Sequence, residues 1–536
     1  MSVAKSLREK QVLARVGLKK PVGRYDYRRN KARRALKRRR LMIRRLLLVV
    51  VASLTWLGVA TVVAAPQSPA MTLPEIQRDF DFLRHALEEA HPGLYRYSTK
   101  AEMDRGFDAQ RAKLTGPMPK LDFEVVIAET LALIRCGHTS MNPDDGFKAA
   151  VRDARTFPLR VKLDGPKLRV VLNDTPTDAT ILPGMELLEI NGRKAGDIVN
   201  RFRQVLPADG DIETGKAHDI SGRFHTYYWW LIERSDEFTV KARDDAGRLV
   251  VTKLAGVTDA QRKSNHNPVN EAMLAGVSKV MGWPAENAGL RFLRGSEIAE
   301  IRLKYFVGGD FPKWVEETFK TLREKGTTTL IIDLRGNGGG EDEYGAMLVG
   351  YLTDKPFRYF DHISMKTLSP SFKEHLSWSA KEEARIREGT IADPAGGYLL
   401  TPKMHTCLAL QQPGKYPFLG KVFVLTEGGT FSTAADFCAV THHLKRATFV
   451  GEETGGGYYG NNSGMMPTLT LPNSRVEIRL PMYEYWNAVR GYDGTRRGTI
   501  PDHVVELKTS DVLRGVDTQL DFALKLAMGR EGRKDR

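Results

Sequence analysis

Ser432 lies at a turn between two apolar segments, where its hydroxyl could act as a nucleophile. The residues Val422-Phe-Val-Leu-Thr426 predict a buried strand, Gly428-Gly-Thr-Phe-Ser432 a turn, and the residues beyond it a helix to about His443. Such a turn exposes the serine Oγ and leaves the Thr433 amide free to face an oxyanion. Serine is also a common helix N-cap, so the motif alone leaves both roles open.

A glycine-rich turn offers further amide donors. Gly336-Asn-Gly-Gly-Gly340 follows a second predicted strand, Thr328 to Asp333. Unhindered N–H groups at the carboxyl end of a parallel strand can hold a phosphate or form an oxyanion hole. The GK[ST] sequence of a phosphate-binding loop is missing, so we interpret Gly338 and Gly339 as oxyanion donors, with a purely structural turn as the alternative.

His138 is the best candidate for the base that a serine nucleophile requires. It lies in Cys136-Gly-His-Thr-Ser140, just after a helical pattern that runs from Asp122 to Arg135. His442 and His443 fall on the helix predicted after Ser432, where surface positions are expected. A single histidine is more often a packed or surface residue, so spacing alone does not assign the role.

Cysteines are sparse. The chain has only Cys136, Cys407 and Cys438, and no CxxC motif. This pattern indicates neither a disulfide scaffold nor a zinc site, and each cysteine is interpreted as a buried small side chain. We therefore expect no metal and no organic cofactor.

The formal charge of +16 belongs to the first 45 residues. These carry 18 Lys or Arg and 2 acidic residues, a net charge of +16, so the rest of the chain is formally neutral. A neutral body has no bulk charge with which to bind phosphate groups. The composition therefore argues against a nucleic-acid partner.

Residues 1–65 predict a basic leader followed by a secretory signal. The apolar run from Leu46 to Val63 follows Arg44-Arg45 and precedes Ala64-Ala65-Pro66, with small residues at the cleavage-site spacing. We expect export to the cell envelope, in the periplasm or on the outer face of the membrane. An uncleaved anchor that associates with the membrane is the alternative. A chain begun at Met42 would have a signal of ordinary length, so residues 1–41 are expected to be a misassigned start.

The remaining sequence divides into four regions that differ in their pattern of apolar and polar residues. A helical region is followed by an alternating β region, a polar linker or lid, and an α/β region with an insertion between two core strands. The predicted bounds are 71–150, 151–257, 258–290 and 291–530, with the insertion at 341–420. Within the β region, Asp164-Gly165-Pro166 predicts a hairpin turn, and Pro183 to Gly192 looks like the strand and turn of a PDZ domain. A small β domain without a ligand is the alternative.

Four segments occur in the order seen in one peptidase family. They are Cys136-Gly-His-Thr-Ser140, Leu330-Ile-Ile-Asp-Leu-Arg-Gly-Asn-Gly-Gly-Gly340, Thr430-Phe-Ser-Thr-Ala-Ala-Asp-Phe437 and Gly498-Thr-Ile-Pro-Asp502. In these the chain resembles the C-terminal-processing (tail-specific) and tricorn-core serine peptidases over about residues 71–526. The resemblance implies an α/β catalytic domain of the tail-specific protease type. Its sheet is expected to be mixed and mostly parallel, with a helical N-terminal subdomain and an inserted PDZ-like β domain.

The resemblance also bears on the catalytic residues. One branch of the family uses a lysine about 25 residues after the serine, but Glu452 to Ser463 contains none. The other branch uses a histidine just before the PDZ-like domain, which His138 matches. That branch has a supporting glutamate where this chain has Thr495, and Asp493 or Glu484 could replace it. Relatives often carry a glutamate at the position of Ala435.

The sequence therefore predicts an exported serine peptidase that acts on proteins or peptides. Ser432 is the predicted nucleophile, His138 the base, and Gly338 or Gly339 with Thr433 the oxyanion hole. The loss of the glutamate also fits a non-catalytic ligand- or peptide-binding member of the same fold. A third hypothesis is an esterase or amidase that acts on a non-peptide acyl group of the cell envelope. The oligomeric state is left open.

Overall fold

Helices dominate the first part of the chain that the structure describes. A computed structural model describes residues 70–264, 267–282 and 286–529, so the predicted leader and signal lie outside the described residues. The first helix starts at the capping box of Thr72 and Glu75 and ends before His91. The elements are α1 (Leu73–Ala90), α2 (Lys100–Arg111), α3 (Lys120–Ala132), β1 (Ser140–Asn142) and α4 (Asp145–Asp153).

An antiparallel sheet with its own hydrophobic core follows. The predicted hairpin is confirmed, because its two strands pair on either side of Gly165, which has a φ of +57°. The strands pair in the order β2-β3-β4-β6-β7, with β5 beside β4. The elements are β2 (Leu159–Asp164), β3 (Lys167–Asn173), β4 (Glu186–Ile190), β5 (Arg193–Lys194), α5 (Ala195–Val205), α6 (Thr214–Leu231), β6 (Glu237–Arg243) and β7 (Leu249–Ala255).

The segment 258–290, predicted to be a linker or lid, is more ordered than expected. It contains α7 (Asp259–Ser264) and α8 (Glu271–Met281), and it ends inside strand β8 (Ala288–Arg294). Leu274 and Val277 of α8 pack against Leu513 of a later helix. These apolar contacts stabilise the helix. The helix was not predicted because its apolar face is short and polar residues surround it in the sequence.

A six-stranded sheet forms the base of the α/β region. Its order is β20-β15-β14-β10-β9-β8, and every pair is parallel except β8 with β9. The predicted mixed, mostly parallel sheet is confirmed. Its elements are β8, β9 (Ile298–Leu303), α9 (Phe311–Glu324), β10 (Thr329–Asp333), β14 (Lys421–Thr426), α12 (Thr433–His443), β15 (Thr448–Gly451), β20 (His503–Val504), α13 (Thr509–Leu513) and α14 (Thr518–Ala527).

The predicted insertion at 341–420 does not stand apart from the core. It begins with α10 (Asp342–Gly350), which packs against α12, and continues into a second sheet of order β12-β13-β11-β19-β16. Strands β1, β18 and β17 form a small third sheet. The remaining elements are β11 (Phe360–Met365), α11 (Ala380–Gly389), β12 (Thr390–Ala392), β13 (Tyr398–Leu400), β16 (Asn462–Ser463), β17 (Thr468–Thr470), β18 (Glu477–Arg479) and β19 (Tyr483–Asn487).

No helix in the described ranges combines the length and the apolar character that a membrane crossing requires.

Candidate active site

Ser432 occupies a strained backbone position between β14 and α12. Its φ is +55° and its ψ is −133°, and its carbonyl accepts the amides of Ala435 and Asp436 at 2.7 and 3.0 Å. A non-glycine residue in this region costs about 1–3 kcal/mol and persists only where the surroundings impose it. The strain points to a site where the direction of the side chain matters, as in other nucleophile turns.

The glycine-rich turn is fastened directly to the serine turn. The amide of Phe431 donates to the carbonyl of Asn337 at 2.9 Å, and the Thr430 hydroxyl donates to the carbonyl of Leu334 at 2.9 Å. The buried Asn337 side chain also donates to the carbonyl of Leu303 at 2.9 Å. The ends of β9, β10 and β14 are thereby held in one arrangement, which fixes the donors around Ser432.

Gly339 makes the closest approach to the serine. It has a φ of +99°, and a Cβ added there would lie 2.6 Å from the Ser432 Cβ and 3.0 Å from the Thr433 nitrogen. Its own amide is already used, since it donates to the Asn337 side chain at 2.9 Å. Of the predicted oxyanion donors, the Gly338 and Thr433 amides are the two without a hydrogen-bond partner among the described residues.

A buried ionic network supports the glycine turn from behind. The Arg335 guanidinium donates to the Asp333 carboxylate at 2.8 and 2.9 Å and to the Asp517 carboxylate at 2.7 and 2.8 Å. These charges hold the pKa of Asp333 below its usual range although burial alone would raise it. Asp517 caps α14, so the network joins the end of β10 to the last helix.

His138 lies beside the residue that precedes the serine. Its ring stacks on the Phe431 ring with 4.4 Å between centroids, and its side chain is buried. Burial, assisted by the Arg479 charge, lowers the pKa of His138 to about 3, so the imidazole is neutral at pH 7. Its Nδ1 is buried without a hydrogen-bond partner among the described residues, and no hydrogen bond joins its ring to the Ser432 Oγ.

Asp209 is a site residue that sequence reasoning missed. Its buried carboxylate accepts the amide of Gly137 at 2.7 Å and that of Gly457 at 3.3 Å, so it fixes the loop that carries His138. Burial raises the pKa of Asp209 to about 6. No motif marks Asp209, because it lies in the loop after α5, far along the chain from both loops that it holds.

The two predicted orienting carboxylates, Glu484 and Asp493, make no hydrogen bond to the His138 ring. Glu484 contacts Arg96 at 3.5 Å and accepts a hydrogen bond from Ser364 at 3.4 Å. Asp493 and Thr495 are exposed. No described carboxylate is hydrogen-bonded to the His138 ring, so the structure does not bring this part of the predicted site together.

Asp436, in the first turn of α12, is a second buried carboxylate near the serine. It accepts hydrogen bonds from the side chains of Asn461 at 3.0 Å and Asn487 at 2.9 Å. Burial, and then the charge of Asp342, raise the pKa of Asp436 well above its usual range. The geometry fits a neutral, hydrogen-bonded residue that anchors α12.

The serine turn also packs tightly against α6, a helix of the region that contains the antiparallel sheet of strands β2 to β7. A Cβ at Gly428 would lie 2.0 Å from the carbonyl of Thr214, at the start of α6, so only glycine fits. His218 of the same helix pairs with Glu427 at 3.4 Å, just after β14. Movement of α6 would therefore be transmitted to the residues that precede Ser432.

One known protein family matches the part of the chain that contains the glycine turn and the serine turn. Residues 297–505 match the model of peptidase family S41. This match identifies residues 297–505 as a peptidase family S41 domain. The matched residues include the glycine turn, Ser432 and Asp436, whereas His138 and Asp209 precede them. An S41 peptidase is a serine-type hydrolase, so the predicted family and enzyme class are confirmed.

Solved structures show the same fold. The crystal structure of mature CPAF is similar with a TM-score of 0.60 and 17% sequence identity, over 87% of this chain and 99% of that chain. The structure of mature CPAF complexed with lactacystin is similar with a TM-score of 0.58 and 16% identity, over 85% of this chain and 99% of that chain. At these identities the likeness shows the fold alone. No curated protein matches it significantly.

Proposed function

We propose that this S41 chain is an exported peptidase that cleaves peptide bonds with Ser432 as nucleophile and His138 as general base. The observation that carries the proposal is the strained Ser432, which packs against the glycine turn and follows Phe431, the residue on whose ring the buried His138 stacks. A serine hydroxyl is a weak nucleophile unless a nearby base removes its proton. His138 is neutral at pH 7 and so has a free electron pair for that proton.

The proposed reaction has two steps. In the first, the Ser432 Oγ bonds to the peptide carbonyl carbon while its proton passes to Nε2 of His138. The protonated imidazole then gives that proton to the leaving amine, and the C–N bond breaks. In the second, water releases the acyl group by the same proton transfers. Apo serine–base contacts are often long, so substrate is expected to bring the two side chains into hydrogen-bonding distance.

Two backbone amides would stabilise the oxyanion. The Gly338 and Thr433 amides flank Ser432 and are free among the described residues, while the Gly339 amide is bound to Asn337. We therefore assign the oxyanion hole to Gly338 and Thr433. Gly339 has a separate role, because its lack of a side chain lets the turn approach Ser432.

Peptidase assays on single variants test this proposal. The purified chain, the Ser432→Ala variant and a Ser371→Ala control are incubated with a casein-derived peptide mixture, and products are identified by mass spectrometry. Ser371 is an exposed serine that contacts Glu89, so its loss leaves the active-site loops intact. The proposal predicts cleavage by the wild type and the control only. Full activity of Ser432→Ala would refute it.

A non-catalytic binding protein is the second candidate. It is favoured by one observation: the buried Nδ1 of His138 has no carboxylate partner within the described ranges, and loss of such a partner can reduce a rate by about 10⁴. Small ester substrates distinguish the three candidate functions, which are a peptidase, a binding protein and an envelope esterase or amidase. Turnover of esters but not peptides would favour an envelope esterase or amidase, and binding of peptides without turnover would favour the binding protein.

We propose that the antiparallel sheet of strands β2 to β7 holds the peptide substrate. Its outer strand β7 is at the edge of the sheet and exposes Leu249 and Val251, at 56% and 64% of their surface. An edge strand can pair with an extended peptide. Val251→Lys is expected to raise the KM for long peptides and to leave the turnover of small esters unchanged. Equal KM values for the variant and the wild type would contradict this role.

Export rests on the sequence of residues 1–65. We propose that the basic flank and the apolar run direct the chain to the cell envelope, with or without cleavage near Ala65. N-terminal sequencing of the protein from fractionated cells tests this. A new N-terminus close to Pro66 is expected after cleavage, and the intact run in the membrane fraction after anchoring. Recovery from the cytosol alone would contradict export.

A further inference from the structure

A group of metal-ligating side chains lies outside the proposed catalytic residues. Ligand atoms of Glu343, His405 and Cys407 are all within 4.8 Å of one another. Glu343 is in the first turn of α10, directly after the glycine turn, and the other two residues lie at the 3₁₀ turn Thr406–Leu408. The fold thus brings together two segments that are about 60 residues apart. We call these three residues the His405 cluster.

The two nitrogens of His405 have different surroundings. Nε2 lies 3.2 Å from the carboxylate of Asp342, whereas Nδ1 is buried without a hydrogen-bond partner among the described residues. A proton on Nε2 would be donated to Asp342, which leaves the lone pair of Nδ1 unused in a buried position. A carboxylate behind the histidine and a free ring nitrogen in front of it form the usual arrangement of a zinc-bound histidine.

The surroundings of the cluster suit a bound thiolate. The Cys407 thiol is buried, and the rings of Phe360 and Tyr485 pack against His405 with centroids 5.5 and 5.7 Å away. The carboxylates of Glu343 and Asp342 lie beside these residues, the first within the cluster and the second 3.2 Å from Nε2 of His405. A divalent cation would compensate both carboxylates and favour the thiolate.

We propose that the His405 cluster binds one divalent cation of the zinc class. The ligands are a carboxylate oxygen of Glu343, Nδ1 of His405 and Sγ of Cys407, with water in the fourth position. Binding replaces the S–H bond of Cys407 by a bond from sulfur to the metal and releases the proton to solvent. Zinc, cobalt and similar ions accept this mixture of sulfur, nitrogen and oxygen, whereas magnesium and calcium prefer oxygen alone.

The site has a physical connection to the serine turn. Asp342, which supports His405, also accepts the hydroxyl of Thr433 at 2.8 Å. Thr433 follows Ser432 and begins α12, so the bound ion would fix the start of that helix through Asp342. This inference does not rest on the proposed peptidase mechanism, and its test does not use activity.

Cobalt binding by the untagged full-length chain tests the site. Protein freed of metal by a chelator is titrated with Co²⁺, and the absorption of thiolate-to-cobalt charge transfer is recorded. The proposal predicts one bound cobalt per chain, a charge-transfer band, and loss of the band when Zn²⁺ is added. A folded wild-type chain that shows no such band would overturn it.

Two variants assign ligands, and a third serves as their control. Cys407→Ala is expected to abolish the charge-transfer band, and Cys438→Ala is the matched control, since its thiol is equally buried but outside the cluster. Exposed Glu343 can be changed to Gln with little risk to folding, and this variant is expected to bind cobalt at least about tenfold more weakly. An unchanged band in Cys407→Ala, or an unchanged affinity in Glu343→Gln, would contradict the assignment even if other variants fail to fold.

Discussion

At the scale of single residues, the site depends on the fit between Ser432 and Gly339. The serine adopts a backbone conformation that side chains rarely adopt, and the glycine turn packs against its Cβ. Neither residue can relax without moving the other, because the Phe431 amide ties the two turns together. The strain is therefore maintained by contacts on both sides of the serine.

The Gly339→Ala substitution tests this fit. The added methyl would lie 2.6 Å from the Ser432 Cβ and 2.9 Å from the Phe431 carbonyl oxygen, at a φ of +99°. We expect a loss of about 1–3 kcal/mol of folding free energy and at least a tenfold fall in serine reactivity. Gly309→Ala is the control, since that position is open and lacks a positive φ. Equal urea midpoints for the two variants would contradict the account.

The buried His138 predicts a particular dependence of stability on pH. The imidazole has a pKa of about 3 in the folded protein and an ordinary value of 6.5, so the unfolded chain takes up a proton first as the pH falls. This residue's contribution is complete above pH 6.5 and decreases by about 1.4 kcal/mol per pH unit from there toward pH 3.

Thermal unfolding of wild type and His138→Asn between pH 7.5 and 5 measures this contribution. The wild type should lose more stability on acidification than the variant, because asparagine takes up no proton. Exposed His443→Asn serves as the control and should keep the wild-type slope. Parallel curves for wild type and His138→Asn would show that the imidazole titrates normally in the folded protein.

At the scale of elements, the ionic network of Arg335 joins β10 to α14. Arg335→Met removes one of the two arginine partners of Asp333, the other being Arg302 at 3.2 Å, and one partner of Asp517. Removing one member of a buried ion pair is expected to cost up to about 3–5 kcal/mol. Arg323→Met on the exposed face of α9 should change stability by less than about 0.5 kcal/mol. Urea unfolding compares the two, and a small effect of Arg335→Met would mean that the network is replaceable.

Elements with strong local patterns were predictable from the sequence. The strand before Ser432, the helix after it and the hairpin at Gly165 have clear apolar periods and turn residues, and the structure confirms them. Helix α8 and the crossover helix α10 were missed, because their apolar residues are interrupted and their order depends on tertiary packing.

The candidate site was predictable only where it follows a contiguous motif. Ser432 and the glycine turn can be recognised from their residue types and spacing. Asp209 and the His405 cluster, in contrast, meet their partners only through segments that are far apart in the chain. The cysteines, considered by themselves, gave no indication that Cys407 would meet a histidine and a carboxylate. Asp493 and Glu484 were candidates to replace the glutamate missing at Thr495, and neither is hydrogen-bonded to the His138 ring in the described part of the chain.

At the scale of the whole molecule, charge is divided unevenly along the chain. The first 45 residues hold the entire net charge of +16. The full chain is therefore expected to bind a heparin or DNA column and to elute with salt, while residues 66–536 should pass through at physiological ionic strength. Salt-dependent retention of residues 66–536 would show a concentrated basic surface on the folded part and would contradict a neutral body.

The central claim is that Ser432 is a nucleophile activated by His138, and covalent labelling tests it most directly. Purified protein is treated with a fluorophosphonate, and the modified residue is identified by mass spectrometry of the digested chain, with His138→Ala treated in parallel. The account predicts an adduct on Ser432 that is lost in the correctly folded His138→Ala variant. An adduct on another serine, or labelling of Ser432 at the same rate without His138, would contradict it.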